Sequence, residues 1–169
     1  MGPRKDAGRW SVQIQEMPVR DCYAALSRAN FGRLACAKEN QPYVVPIYFA
    51  FQENEGDPRL YGFTIPGQKV EWMRANPLVC VEVDEVEGFD RWISVIANGR
   101  FEELLDTPYY ADTRRLTVQL LQARAMWWQP GSTAFARGVP RDQKGELTPI
   151  YYQIHMDQIT GLRCVPDSR

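Results

Sequence analysis

The chain has 169 residues and a single histidine, His155, and that scarcity removes much familiar chemistry. A nucleophile–histidine triad or a three-imidazole metal site within one subunit would have to pass through that one ring. Four cysteines, Cys22, Cys36, Cys80 and Cys164, are scattered with no Cys-x-x-Cys pair. Reduced, mostly buried thiols are expected, not a zinc site or a disulfide framework. No Gly-x-Gly-x-x-Gly and no Walker loop occurs, which excludes the usual Rossmann and P-loop phosphate sites. No apolar run approaches the roughly eighteen residues of a membrane helix, and Met1 to Val12 lacks an apolar signal core. A cytoplasmic location with no membrane partner is therefore expected. The formal charge of -1 leaves no basic excess, so nucleic acid is not expected as a partner either.

What is present in quantity is aromatic: five Trp, eight Tyr and seven Phe. That density suits a ring-shaped ligand or an oligomer interface, and equally a core that uses large aromatics. With 44% apolar and 24% charged residues, a chain of this length fits one globular domain. Residues 1–16 read as an N-terminal arm, polar and Gly/Pro-containing at its start, and 17–165 as the domain.

Along the chain, Pro18 suits a helix first turn, with Val19, Cys22, Tyr23, Leu26 and Ala29 on one face and a stop near Asn30-Phe31-Gly32. Strands follow: a short one at Leu34-Ala35-Cys36, a turn at Asn40-Gln41-Pro42, then a long β-branched and aromatic run from Tyr43 to Phe51. A hairpin loop at 53–58 returns through Leu60 to Thr64. Pro66-Gly67-Gln68-Lys69 opens a short helix with Val70 and Met73 on one side, closed by Asn76-Pro77. Strands are expected at Leu78–Asp84 and at Trp92–Glu103, the second alternating Ile93, Val95, Ala97 and Phe101 against Trp92, Ser94, Asn98 and Arg100. Thr107-Pro108 starts a helix with Leu116, Leu120 and Leu121 inward and Arg114, Arg115 and Gln122 outward, broken at Trp127-Trp128-Gln129-Pro130-Gly131. Residues 132–145 read as irregular, and a last strand runs from Thr148 to Met156 or on to Arg163. This order is not an alternating βαβ pattern. It predicts a mainly β protein, a mostly antiparallel barrel with peripheral helices.

The sharpest chemical signal is Phe63-Thr64-Ile65-Pro66-Gly67-Gln68-Lys69. A strand ends, a Pro-Gly turn follows, and a helix begins with lysine in its first turn. A cation there opposes the positive end of the helix dipole, unless an anion such as phosphate sits at the helix start. Free backbone N–H groups, the Thr64 hydroxyl and the Lys69 ammonium could then all donate to it. The other reading is a lysine pointing into solvent. His155, in a strand alternating Tyr152, Ile154 and Met156 with Tyr151, Gln153 and His155, reads as a surface or structural residue. Asp84, Glu85 and Glu87 read as a solvated acidic turn.

Phe31-Gly32-Arg33-Leu34-Ala35 and then Pro42-Tyr43-Val44-Val45-Pro46-Ile47-Tyr48-Phe49 closely resemble the opening hairpin of the split-barrel flavoproteins. So do Leu60-Tyr61-Gly62-Phe63-Thr64 with Pro66-Gly67-Gln68-Lys69, Asn76 through Asp84, and Trp92-Ile93-Ser94-Val95 with Gly99-Arg100. By order and spacing over residues 17–106, the chain resembles the pyridoxamine 5′-phosphate oxidase-like FMN-binding split-barrel family, closest to its nitroimidazole reductase-like branch. The resemblance implies FMN, with deazaflavin or heme as the alternatives other relatives use. It implies a homodimer with the cofactor at the interface and NAD(P)H-dependent oxidoreductase activity on a small acceptor, aromatic or nitro-aromatic. The alternative is a non-catalytic binder on the same barrel.

Carried over residue by residue, the resemblance places Val44, Val45 and Pro46 beside the flavin ring and Phe63, Thr64, Gln68 and Lys69 at the ribityl phosphate. Ser94 then faces the ring from a neighbouring strand, and Trp127 and Trp128 are candidates to border a pocket or the dimer contact, the alternative being plain core packing after a helix. Many members of that branch carry His where this chain has Phe63, so the chemistry attributed to that imidazole does not transfer.

Overall fold

The computed structural model describes residues 11–124 and 149–167. Its strands are β1 (Val12–Glu16), β2 (Gly32–Lys38), β3 (Gln41–Ile47), β4 (Phe49–Asn54), β5 (Asp57–Thr64), β6 (Leu78–Gly88), β7 (Arg91–Glu103) and β8 (Ile150–Pro166). The helices are α1 (Val19–Arg28), α2 (Gln68–Ala75) and α3 (Ala111–Gln122), the last preceded by a 3-10 turn at Pro108–Tyr110. All ladders are antiparallel, and the sheet runs β3-β2-β6-β7-β8-β5-β4, with β1 added against β8. The expected mainly β, split-barrel architecture is what forms.

Two hairpins close through two-residue turns with positive φ. Glu39 and Asn40 (φ 51° and 63°) join β2 to β3, and Glu55 and Gly56 (52° and 84°) join β4 to β5. Left-handed turns of this kind match the twist of the flanking strands.

The expected long strand from Tyr43 to Phe51 divides at Tyr48, between β3 and β4. Those two strands lie at opposite ends of the sheet order. A flat sheet of seven strands is about 29 Å across, whereas a one-residue link spans no more than about 7 Å. The sheet must therefore roll until its edges meet, and no ladder joins β3 to β4 among the described residues. The barrel is split along that seam. Tyr48 is buried there, its hydroxyl 2.6 Å from Leu121 O and 2.9 Å from Arg124 O. Arg124 in turn donates to Ala29 O and Ser27 O at the end of α1, so the two helix termini are tied at the seam.

β8 pairs with β7 along most of its length. On its other side it pairs first with β5 and later with β1. Leu26, Leu34, Phe49, Leu60, Met73, Val81 and Val95 are fully enclosed inside the roll, each worth about 1.5–3 kcal/mol of burial. No helix among the described residues is long and apolar enough to cross a membrane.

Several expectations shift. Residues 12–16, placed in the arm, form β1 and extend the sheet through Val12 opposite Pro166. Gly32 does not stop α1. The helix ends at Arg28, and Gly32 lies inside β2, where a Cβ would stand 3.0 Å from Glu82 O. Arg114 turns inward, donating to Leu104 O and lying over the Tyr151 ring, while Thr117 is fully buried and bonds to Thr113 O. Trp127, Trp128 and the segment 132–145 lie outside the described residues.

At Gly99 the β7–β8 register slips past Asp157, and a Cβ would stand 2.2 Å from the His155 carbonyl oxygen. Gly99→Ala is expected to lower stability by about 1–3 kcal/mol, read as a reduced urea midpoint at unchanged m-value. An unaltered midpoint would show that the ladder tolerates the side chain.

Candidate functional site

The segment leaving β5 gathers the phosphate-type features. Thr64 is buried at the strand end, and Gly67 stands at the N-cap of α2 in extended backbone (φ 166°) with no side-chain cap. Val70 and Glu71 donate to Gly67 O, so the N–H groups of Gln68 and Lys69 remain outside the helical ladder. α2 packs over β2 and β3, with the Trp72 and Tyr43 rings 5.5 Å apart. That packing draws Lys69 down beside Cys36 of β2.

Burial holds the Lys69 ammonium below the ordinary lysine range, with the Cys36 thiol acting weakly the other way. Burial likewise pushes the Cys36 thiol up, and Lys69 offsets part of that. Among the described residues no carboxylate pairs with this ammonium. A largely buried, unpaired cation at an uncapped helix start lacks the counter-charge that normally accompanies one. An anionic ester would supply it. The Thr64 hydroxyl donates to Ile65 O at 3.2 Å, a local bond and not one aimed at a ligand. Gln68 is exposed.

The other predicted site residues fall in three places. Val45 faces inward and packs on the core, while Val44 and Pro46 project outward. Because β3 pairs only with β2 among the described residues, its outer edge carries main-chain groups without a ladder partner. Phe63 packs beside Tyr151, with ring centroids 6.2 Å apart, and against the cluster of Tyr48, Ala50 and Leu121. Ser94 lies on the outward face of β7, opposite Asp84 and Leu162, in a separate cleft of about 410 Å³. Within one chain, Lys69 and the β3 edge are neighbours through α2, Thr64 is joined to α2 by residues 65–67, and Ser94 stands three strands away from β3.

Sequence reasoning missed Cys36, which stands beside Lys69, and Tyr43, whose ring meets that of Trp72 on α2. Nothing in the spacing of Cys36 and Tyr43 marks them, since α2 reaches β2 and β3 only by tertiary packing. It also missed a polar cluster around His155 on the outward face of β5, β8 and β7. His155 Nε2 is 2.6 Å from Glu102 Oε2, Tyr110 donates to Glu102 Oε1 at 2.8 Å, and Gln153 donates to the same carboxylate. Burial alone would raise the Glu102 carboxyl, but the bonds from His155, Gln153 and Tyr110 outweigh it and hold it low. The alternation on both strands could have hinted at this cluster, but only with the register known. Among the described residues no group of three His, Cys, Asp or Glu is placed to hold a metal ion.

Comparison with known proteins agrees with this fold. A family model described as pyridoxamine 5′-phosphate oxidase matches residues 18–163. An uncharacterized protein of Rhizobium meliloti (strain 1021) is 35% identical over 148 residues, covering 88% of this chain and 93% of its own. The crystal structure of an FAD-binding protein from Mesorhizobium loti is similar at 34% identity, TM-score 0.71, covering 91% of this chain and 98% of that one. A candidate 5-nitroimidazole antibiotic resistance protein from Bacteroides thetaiotaomicron VPI-5482 shares the fold at 18% identity, TM-score 0.65, covering 91% and 89%.

The buried ammonium has a thermodynamic signature. Its lowered pKa means that the folded chain binds fewer protons than the unfolded chain between that value and the unfolded one, about 10.4. Stability from this group is therefore reduced at neutral pH and recovers as pH rises through that window. In protein stripped of small molecules, Lys69→Met is expected to raise stability by about 0.5–1 kcal/mol at pH 7 and to lose that alkaline recovery, both read by urea titration at a series of pH values. A variant less stable than the parent at every pH would mean that the ammonium is already compensated.

Proposed function

Since this chain belongs to the pyridoxamine 5′-phosphate oxidase family, we propose that it binds a flavin, FMN, and acts as an NAD(P)H-dependent oxidoreductase on a small, aromatic or nitro-aromatic acceptor. The observation that carries the reading is the unpaired, largely buried Lys69 ammonium at the uncapped start of α2. The residues present fit the group. Lys69 and the first N–H groups of α2 hold the phosphate. The open edge of β3 at Val44, Val45 and Pro46 offers main-chain hydrogen bonds to the rim of a planar ring, and Pro46, having no N–H, leaves room there for close approach. The bound flavin supplies reversible two-electron transfer between a reduced nicotinamide and the acceptor. The chain itself binds, orients and shields the ring, which suits a protein with one histidine.

A homodimer completes the reading. The rows Pro46–Arg33–Glu82–Ile96–Thr160 and Asp84–Ser94–Leu162 run across the outward face of the sheet. Val44, Ile96 and Leu162 are each at least 40% exposed on that face, apolar positions set around the Arg33–Glu82 and Arg33–Asp84 ion pairs, a mixed surface suited to a second copy. Pairing there brings Ser94 into a shared cleft. Heme is not favoured, because its one imidazole handle, His155, already engages Glu102.

The test starts with the spectrum of freshly isolated protein and identification of the chromophore released on denaturation. Flavin absorption that bleaches with NADH or NADPH and returns with acceptor is expected, and the released chromophore distinguishes FMN from FAD. Lys69→Ala is expected to weaken flavin binding tenfold or more, the value of one charge-assisted bond, with the fold unchanged by circular dichroism. Unchanged affinity in that variant, or a colourless protein that takes up neither FMN nor FAD, would overturn the assignment.

A further inference from the structure

The polar cluster around His155 lines a cleft of about 560 Å³ on the outward face of β5, β8 and β7, roofed by the turn before α3. None of its residues belongs to the α2 site. The strand register sets Arg59, His155 and Arg100 in one row and Tyr61, Gln153 and Glu102 in the next. Glu102 is held ionised, and an ionised carboxylate can only accept, so His155 Nε2 carries the proton it shares with Glu102. Nδ1 has no hydrogen-bond partner among the described residues, and the ring forms part of the cleft wall, one third exposed.

Charge and shape narrow the ligand. Arg59 pairs with Asp57, and Arg100 pairs with Asp157 at 2.6 Å. Two guanidiniums face three carboxylates, counting Glu102, so the group is never net positive whichever proton state the imidazole adopts. An anion gains nothing there. Nδ1 accepts when bare and donates when protonated, and a hydroxyl satisfies either state. Arg100 keeps further N–H groups beside it, and its side chain is 61% exposed. Tyr109 is 83% exposed and stands edge-on to Tyr110, with ring centroids 4.7 Å apart, which leaves an open aromatic face at the rim. Hydrogen-bonding groups of both kinds beside an exposed ring suit a polyhydroxylated ring with one apolar face.

We propose that this cleft binds a sugar ring through a vicinal diol. One hydroxyl meets His155 Nδ1, its neighbour accepts from Arg100, and the C–H face of the ring covers Tyr109. A free sugar and the ribose of a nucleoside present the same diol.

Because His155 is the only histidine, the imidazole Cε1–H signal of tag-free protein needs no assignment in a proton–carbon correlation spectrum. Titration with methyl β-D-ribofuranoside is expected to move that signal saturably, and the 2-deoxy analogue to bind about fivefold more weakly, the loss of one hydrogen bond. Tyr109→Ala, at a surface position, is expected to abolish the shift, and Tyr109→Phe to retain it. Adenosine in a parallel titration separates the sources: tighter binding assigns a nucleoside, equal binding a free sugar. No movement with the riboside, equal binding of the 2-deoxy analogue, an unaltered shift in Tyr109→Ala, or a saturable shift produced by benzoate alone would overturn the proposal.

Discussion

A single residue separates the two edges of the sheet, and the architecture follows from that. With Tyr48 alone between β3 and β4, the seven-strand path cannot lie flat. It rolls, and the rolled face becomes the core. The Tyr48 hydroxyl, bonded to carbonyls at the end of α3, holds the seam in place. A rolled sheet whose edge strands meet without pairing keeps exposed main-chain groups that a closed barrel would have consumed. The opening that distinguishes this barrel from a closed one is thus created by the same short link that forces it to roll.

The α2 helix packs over β2 and beside Tyr43 of β3, and meets a conflicting demand. Its apolar residues Val70 and Met73 are fully buried, and seating them carries Lys69 inward with no carboxylate among the described residues to meet it. For stability alone an apolar residue would serve better at that position. Keeping a desolvated cation there is the usual sign of a site whose counter-charge arrives with a ligand. The contrast with the arginines of the sheet and helices is plain: Arg28, Arg33, Arg59, Arg74 and Arg100 all have carboxylate partners on the sheet or its turns.

Much of the fold was legible because local patterns and global packing agree. The alternation of Val95 and Ala97 against Ser94 and Asn98 marks β7 correctly, and the Pro-Gly turn before Gln68 marks the start of α2. Where the reading slipped, a tertiary contact outweighed a local cue. The apolar run through Tyr48 looks continuous, yet the chain changes sheet edge there. Gly32 looks like a helix stop, yet it serves a close approach to Glu82. Residues 12–16 look like an arm, yet the far end of β8 offers them a ladder. Of the site, Lys69 and its turn could be read because the helix-start chemistry is local. Cys36 and Tyr43 could not, since only the docking of α2 brings them near, and the Glu102–His155 pair depends on a register that no short window contains.

The amino-acid order by itself determined the class of chemistry left open, the strand-rich antiparallel architecture, and a lysine in the first turn of a short helix. These are properties of composition, of two-residue periodicity and of neighbours within one turn. Tertiary structure alone decided that this lysine is largely buried with no carboxylate partner among the described residues, that Thr64 spends its hydroxyl on its neighbour, and that the sole histidine faces a cleft between two arginines. Burial and cross-strand register are set by residues far apart in the chain, and no local pattern encodes the distance between them.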